Sequence, residues 1–370
     1  MKIKTPSRNI TLWLAVLISL PIFATGLHAA GPLPLTDNQS PPYQGVWEPM
    51  YGGTQGTDNY AQWLNRQGMW PVVTQYYMDG AGWPARFDKY WVDPGWSKWA
   101  SAAPGRRTVV IVALPTDSDS LDKGAKGGFN DKATAMAEYL VANNLANSVI
   151  CMGLINNPNP WDTATPQDAA NFVAYWKQIV TAIKAVPGAD KLQFDWVGMN
   201  RKTSFPLESA WPGDAYVDYV GMILYDQCLD KSIYPYPPHA TDADKLKRQK
   251  KAWEKYYYPA AQNGLEAWEA IAKAHHKPFS LPSWSLYSDH YEDGTLSTGE
   301  DNTYFIQQMH DFIQDPTNNV YFACYMDNYP HCTQISPPAA TAKAPAPPPW
   351  YPNSTALFQK LFGLPAANAK

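Results

Sequence analysis

Residues 149–188 read VICMGLINNPNPWDTATPQDAANFVAYWKQIVTAIKAVPG. An apolar, β-rich run over 148–155 passes through a Pro/Asn loop into a helical pattern over 166–186. Thr165-Pro166 supplies a cap followed by proline at the first helical position, and Pro187-Gly188 supplies the stop. A short buried strand followed by a capped helix is the repeating unit of a parallel α/β sheet.

The same unit recurs on both sides. Strand-like runs fall at 45–51, 71–77, 108–114, 148–155, 192–197, 217–225, 279–284 and 320–326. Helical patterns occupy 130–145, with Asn130-Asp131 as its cap, and 166–186, 242–258, 265–274 and 302–314. Eight strands alternating with helices predict a single-domain α/β (β/α)8 TIM barrel over residues 31–336. Two loops are expected to project from its C-terminal face. One spans 79–105 and carries Trp83, Trp91, Trp96 and Trp99; the other, 231–239, follows the sixth strand. Residues 337–370 form a Pro/Ala-rich C-terminal segment with a short terminal helix, read equally as a docked tether or a free tail.

Residues 1–30 carry Lys2, Lys4 and Arg8, then an apolar run from Leu12 to Ala24, and end in small residues. That layout is a signal peptide cleaved near Ala29 or Ala30. The competing membrane-anchor reading fits less well, because the run is short and broken by Pro21. The expectation is an exported protein, periplasmic or extracellular, a monomer with no membrane span after cleavage.

The chain has 29 Lys/Arg against 33 Asp/Glu, a net charge of −4, and the leader removes three of the bases. A mildly acidic chain, read as lacking basic runs, argues against nucleic acid as a partner. Aromatic residues make up 14% against 17% charged, with 16 Trp and 23 Tyr, so many rings must lie at or near surfaces. Flat aromatic faces suit sugar rings, although an aromatic-rich core uses the same residues. Of four cysteines, Cys228 and Cys332 sit in polar loops and form the disulfide candidate, while Cys151 and Cys324 lie in apolar runs as buried thiols. No spacing suggests a metal site, and no cofactor is implied.

Read together, Gly45-Val-Trp47, Val112-Ala-Leu-Pro-Thr-Asp117, the 149–161 and 172–180 blocks, Phe194-Asp-Trp196, the segment 211–221, Tyr225-Asp226, the segment 277–282 and the segment 301–309 resemble family 26 of the glycoside hydrolases, the mannanase-type barrels. The resemblance implies an acid/base glutamate at the end of the fourth strand and a nucleophilic glutamate at the end of the seventh. Ile155 and Ser283 occupy those positions. Isoleucine donates no proton, and serine without a base cannot replace a carboxylate beside an oxocarbenium-like centre.

The sequence therefore points to a catalytically impaired barrel that binds a β-linked polysaccharide or exopolysaccharide. Trp47, Asn156, Asn157, Trp161, Trp196, Asn200, Tyr225, Asp226 and Trp284 are the expected groove residues, with Trp161 and Trp284 the most exposed. Asp79, Asp117 and Asp195 also lie near strand ends, where sugar orientation, capping and ion pairing are all open roles. One alternative is an active endo-glycosidase of β-mannanase, xylanase or β-glucanase type using relocated carboxylates, Glu48 and Asp327. Another is a protein-binding component of a polysaccharide export assembly.

Overall fold

The computed structural model describes residues 41–47, 53–66, 72–77, 83, 94–102, 106–112, 114–154, 164–288, 298–327, 333–337 and 349–364. The 1–30 leader, Glu48, Asp79, Trp91, Ile155, Asn156, Asn157, Trp161 and Cys332 lie outside them.

Eight strands form one parallel sheet: β1 (Tyr43–Trp47), β2 (Val72–Tyr77), β3 (Arg107–Val112), β4 (Val149–Leu154), β5 (Gln193–Met199), β6 (Tyr219–Tyr225), β7 (Phe279–Ser285) and β8 (Val320–Met326). They hydrogen-bond in sequence order, and the sheet closes where Tyr43 of β1 lies opposite Phe322 of β8. Closure leaves no free edge, and helices cover the outside. All eight expected runs are strands. Gly153 sits at φ +143°, where its backbone packs against Val197 of β5 so closely that a Cβ would strike the Val197 carbonyl. Only glycine fits there.

Around the sheet lie α1 (Gly53–Trp63), α2 (Pro94–Ser101), α3 (Ser118–Ala125), α4 (Asn130–Ala142), α5 (Pro166–Lys184), α6 (Asp242–Ala252), α7 (Leu265–Ala274), α8 (Thr303–Gln314) and α9 (Pro352–Phe362). The Thr165 cap is real: its side chain takes the Asp168 amide while Asp168 returns to the Thr165 amide, a reciprocal box. Between β5 and β6 the described chain forms two 3-10 turns, Leu207–Ala210 and Asp214–Tyr216, in place of an α-helix.

Three local readings need correction. Residues 94–101 of the expected aromatic loop are helical, and Trp96 and Trp99 are buried under it at an edge-on 5.7 Å. Asn130 is the first helical residue of α4 rather than its cap, because Phe129 holds the cap position without a side-chain hydrogen bond. The chain also has a basic run, since α6 gathers Lys245, Lys247, Arg248, Lys250 and Lys251. Much of that charge is engaged locally. Arg248 donates to the Ser232 and Ile233 carbonyls, and Lys251 to the Ser232 hydroxyl. Lys245 and Lys250 lie over the rings of Tyr236 and Tyr304. The run ties down the 231–239 loop.

Helix α9 docks on the barrel. Phe358 stacks on Trp284 (5.9 Å) and Trp63 (5.9 Å) and meets Tyr325 edge-on at 5.0 Å. Asp301 accepts the Asn353 and Ser354 amides at the start of this helix, where orphan N–H groups favour a carboxylate. Arg66 donates to the Phe362 carbonyl at its other end. Phe358→Ala should cost about 3–5 kcal/mol, the range for a fully packed aromatic ring, read as a lower urea midpoint at unchanged slope.

Candidate functional site: the C-terminal mouth of the barrel

Successive residues of a strand face opposite sides of the sheet, so each strand divides its residues between the barrel interior and the outer layer. The interior fills in tiers. At its N-terminal end, Arg107 and the Tyr219 hydroxyl both donate to Gln193 Oε1 at 2.9 Å, beside Tyr43 and Tyr321.

The middle tier holds Asp195, fully buried. Its Oδ2 accepts from Ser280 Oγ (2.6 Å) and Cys151 Sγ (3.3 Å), while Oδ1 has no hydrogen-bond partner among the described residues. Gly221 creates the space, because a Cβ there would collide with Ser280 and crowd Asp195. Burial pushes the Asp195 carboxyl up to about 7, only partly offset by the two donors. Cys151, Cys228 and Cys324 are buried, and no two of them are bridged to each other. Cys332, the expected partner of Cys228, lies outside the described residues.

At the C-terminal tier, Tyr225 of β6 and Ser283 of β7 meet, with 3.0 Å between the Tyr225 hydroxyl and Ser283 Oγ. Tyr287 packs near Tyr225 at 6.3 Å. Burial pushes the Tyr225 hydroxyl up to about 12, so it is neutral and donates or accepts hydrogen bonds without acting as a base near neutral pH. Ser283 is fully buried and has Tyr225 as its hydrogen-bond partner among the described residues. A hydroxyl pair of this kind offers hydrogen bonds but holds no negative charge.

The other expected groove residues divide sharply. Trp47 closes β1 opposite Met326, and its side chain lies outside the described part. Asn200 is half-buried beyond β5, its amide 3.4 Å from the Tyr256 carbonyl. Trp196 and Trp284 belong elsewhere. Trp196 is fully buried in the outer layer against Trp268 (4.8 Å) and Trp211 (5.3 Å). Trp284, expected among the most exposed, has 0% exposure and packs beneath α9.

Asp226, Asp327 and Asp117 are structural anchors. Asp226, expected in the groove, is fully buried. It accepts from Tyr257 (2.8 Å), Asn302 (2.8 Å) and Tyr234 (3.3 Å), which joins the end of β6 to the following loop, a π-turn at Trp253–Tyr257 and the cap of α8. Desolvation moves its carboxyl up to about 6 against those donors. Asp327, half of the relocated pair, accepts the Ile335 amide (2.7 Å), the Ser336 amide (3.0 Å) and the Ser336 hydroxyl. It is 1% exposed, and burial raises its carboxyl. Asp117 caps α3 through the Ser120 amide at 2.9 Å. Missed in the sequence were Tyr234, Tyr257 and Asn302, scattered polar residues that nothing marks as partners of one carboxyl.

Comparison with solved structures shows what this fold is similar to. A modular endo-β-1,4-mannanase from Cellulomonas fimi superposes with a TM-score of 0.52 at 15% identity, covering 88% of this chain and 72% of that one. The protein GH26C from Muricauda sp. MAR_2010_75 gives 0.51 at 15% identity, over 87% and 85%. Mannanase BCman from Bacillus subtilis gives 0.50 at 14% identity, over 89% and 87%. No protein-family model and no curated protein matches the sequence. At these identities the likeness is one of fold.

Two measurements check the buried carboxyls. Asp195 is raised from an unfolded value of about 3.9 to about 7 in the folded chain, so the folded state holds the extra proton between those limits. Its contribution to stability is fully present below about pH 4 and falls as pH rises to about 7. Asp195→Asn should flatten the decline in melting temperature over that window; an unchanged pH profile would exclude this role. Asp226→Ala strands buried donors, each costing about 1–3 kcal/mol, whereas Asp117→Ala at an exposed cap should cost about 1 kcal/mol. Paired urea titrations compare them.

Proposed function

We propose that this chain is an exported, single-domain TIM-barrel protein that binds a β-linked polysaccharide or exopolysaccharide and is catalytically impaired as a glycosidase. The observation that carries the reading is Ser283. It stands on β7 hydrogen-bonded to Tyr225 at the barrel mouth, where the family 26 resemblance leads one to expect a nucleophilic glutamate. The C-terminal face is where barrel proteins of this architecture place their ligands. Hydrolysis with two carboxyl groups needs both on either side of the scissile bond. Asp226 and Asp327 are occupied in holding loops, and Asp195 lies sealed below the mouth.

Residues 1–30 support export through a cleaved signal peptide, and no helix among the described residues is long and apolar enough to cross a membrane. The mature protein is proposed to act as a monomer in the periplasm or outside the cell. Under the competing reading, an active endo-glycosidase, Glu48 would have to work without Asp327 as a free partner.

The deciding assay measures release of new reducing ends from β-mannan, xylan, mixed β-glucan and bacterial exopolysaccharides. The natural protein runs beside an Ile155→Glu/Ser283→Glu double variant, with glycan retention measured in parallel. Retention without turnover is expected for the natural protein, and turnover for the double variant. Rapid hydrolysis by the natural protein, abolished by Glu48→Gln, would replace this proposal with the relocated-carboxylate one. Failure to retain on every glycan, together with co-purification of a protein, would point to an assembly component.

A further inference from the structure

Between the end of β6 and the start of α7 the chain makes a long excursion over residues 226–264. Four contacts seat it on the C-terminal face. Tyr257 donates to Asp226 at the end of β6 (2.8 Å), and Tyr256 donates to Asp230 just beyond it (2.8 Å). The Asn200 amide lies 3.4 Å from the Tyr256 carbonyl, and the Asn263 amide donates to the Arg201 carbonyl at 2.7 Å. Asn200 and Arg201 follow directly on β5, so the excursion crowns the ends of β5 and β6. That is the face on which the mouth opens.

The excursion carries the basic run, and its cations divide into two sets. Lys245, Arg248, Lys250 and Lys251 have local partners, the rings, carbonyls and hydroxyl described above. Lys231, Lys247 and Lys255 are exposed, and none of them forms an ion pair or hydrogen bond among the described residues. Lys202, just beyond β5, is exposed and equally unengaged. The acids of the same segment do not pair with them. Asp230 is held by the Ser232 amide and the Tyr256 hydroxyl, and Asp244 by the Thr241 cap of α6. Asp242 and Glu254 form no ion pair among the described residues. Lys247 and Lys251 stand four residues apart on α6, a spacing at which like charges destabilise a helix. An external anion would relieve that repulsion.

An aromatic platform ends the same segment. Tyr258 is 42% exposed, and its ring stacks on Trp253 at 6.3 Å and 23°. Trp253 is buried and meets Phe305 edge-on at 6.1 Å, so the platform is fixed from beneath. Lys255 lies in the π-turn that leads to Tyr258, a form of helix that recurs at functional sites. A flat exposed ring takes the CH-rich side of a sugar. Ammonium groups take carboxylates through charge-assisted hydrogen bonds. Ring and cations together match a saccharide that bears carboxylates.

We propose that this excursion makes the β5–β6 rim a binding surface for an acidic polysaccharide. Lys202, Lys231, Lys247 and Lys255 receive its carboxylates, and Tyr258 stacks on its rings. The inference rests on the glycan-binding reading above and names the ligand class as a glycan containing uronate units.

The test is calorimetric titration of the mature protein with matched hexasaccharides. These are β-1,4-linked mannose and glucose oligomers and the corresponding mannuronate and glucuronate oligomers, each at low and high ionic strength. The expected result is that one uronate oligomer binds about tenfold tighter than its neutral counterpart at low salt, a difference of about 1.4 kcal/mol. High salt should shrink that advantage, and Lys202→Gln/Lys231→Gln/Lys247→Gln/Lys255→Gln should abolish it. All four side chains are exposed, so the variant keeps its packing. Lys191→Gln, exposed ahead of β5 at the opposite end of the barrel, should leave the advantage intact. Equal affinity for acidic and neutral oligomers, or an advantage that survives the quadruple variant, overturns the acidic-ligand proposal and leaves the mouth standing. Binding to phosphatidylglycerol vesicles that the quadruple variant abolishes, without any preference among the saccharides, also overturns it. The cations would then serve a lipid surface, with Leu229, 85% exposed on the same segment, as the inserting side chain. Absence of binding to every saccharide overturns both readings.

Discussion

Closure of β8 onto β1 imposes the constraint on which everything else depends. A closed parallel sheet has no edge to hydrate, and its interior must be filled by the strands themselves. Each inward position is then an obligation: an apolar side chain must pack, and a polar one must find a partner among seven other strands. This barrel meets that obligation with polar residues in every tier. Arg107, Gln193 and Tyr219 bond to one another at the base, Asp195 draws donors from β4 and β7, and Ser283 bonds to Tyr225 at the mouth. Glycine at 221 is the counterpart of aspartate at 195, a missing side chain that admits a present one.

The outer layer obeys the same alternation with apolar partners. Ser283 bonds inward to Tyr225 while Trp284 lies beneath α9, the register of β7 shifting between Leu281 and Trp284. Asp195 and Trp196 divide likewise, and the indole goes to Trp268 and Trp211. Strand positions, the capped helix at 166–184 and the order of the sheet were legible because apolar runs, caps and stops are local signals. The period of two was legible as well. Applied to Asp195 and Trp196, it separates Trp196 from the groove. Counted from the inward Ser280 it would place Trp284 inward, and the register shift between Leu281 and Trp284 turns that ring outward. The helix at 94–101 was obscured by its flanking proline and glycine, which read as loop although they begin a helix.

Carboxylates were harder to place, because a strand-end aspartate looks the same whether it faces ligand or loop. What decides is the number of donors that converge on it, and these come from distant segments. Asp226 collects Tyr234, Tyr257 and Asn302, up to 76 residues away, and Asp327 collects a turn at 335–336. Such convergence raises the cost of removing the carboxylate, since each buried donor would be left without an acceptor. It also leaves the carboxylate buried. The same geometry that stiffens the rim commits these acids to structural contacts.

The electrostatic character of the mouth follows. An ionised carboxylate at a closed tier must be desolvated whenever a sugar covers it, and that cost is recovered only if charge develops opposite it during reaction. A neutral Ser283–Tyr225 pair carries no such cost, because a covering sugar hydroxyl replaces the hydrogen bond that water would make. Without a carboxylate, the pair offers hydrogen bonds and no countercharge to an oxocarbenium ion. Binding and catalysis place opposite demands on this tier, and under the proposed reading the Ser283–Tyr225 pair serves binding.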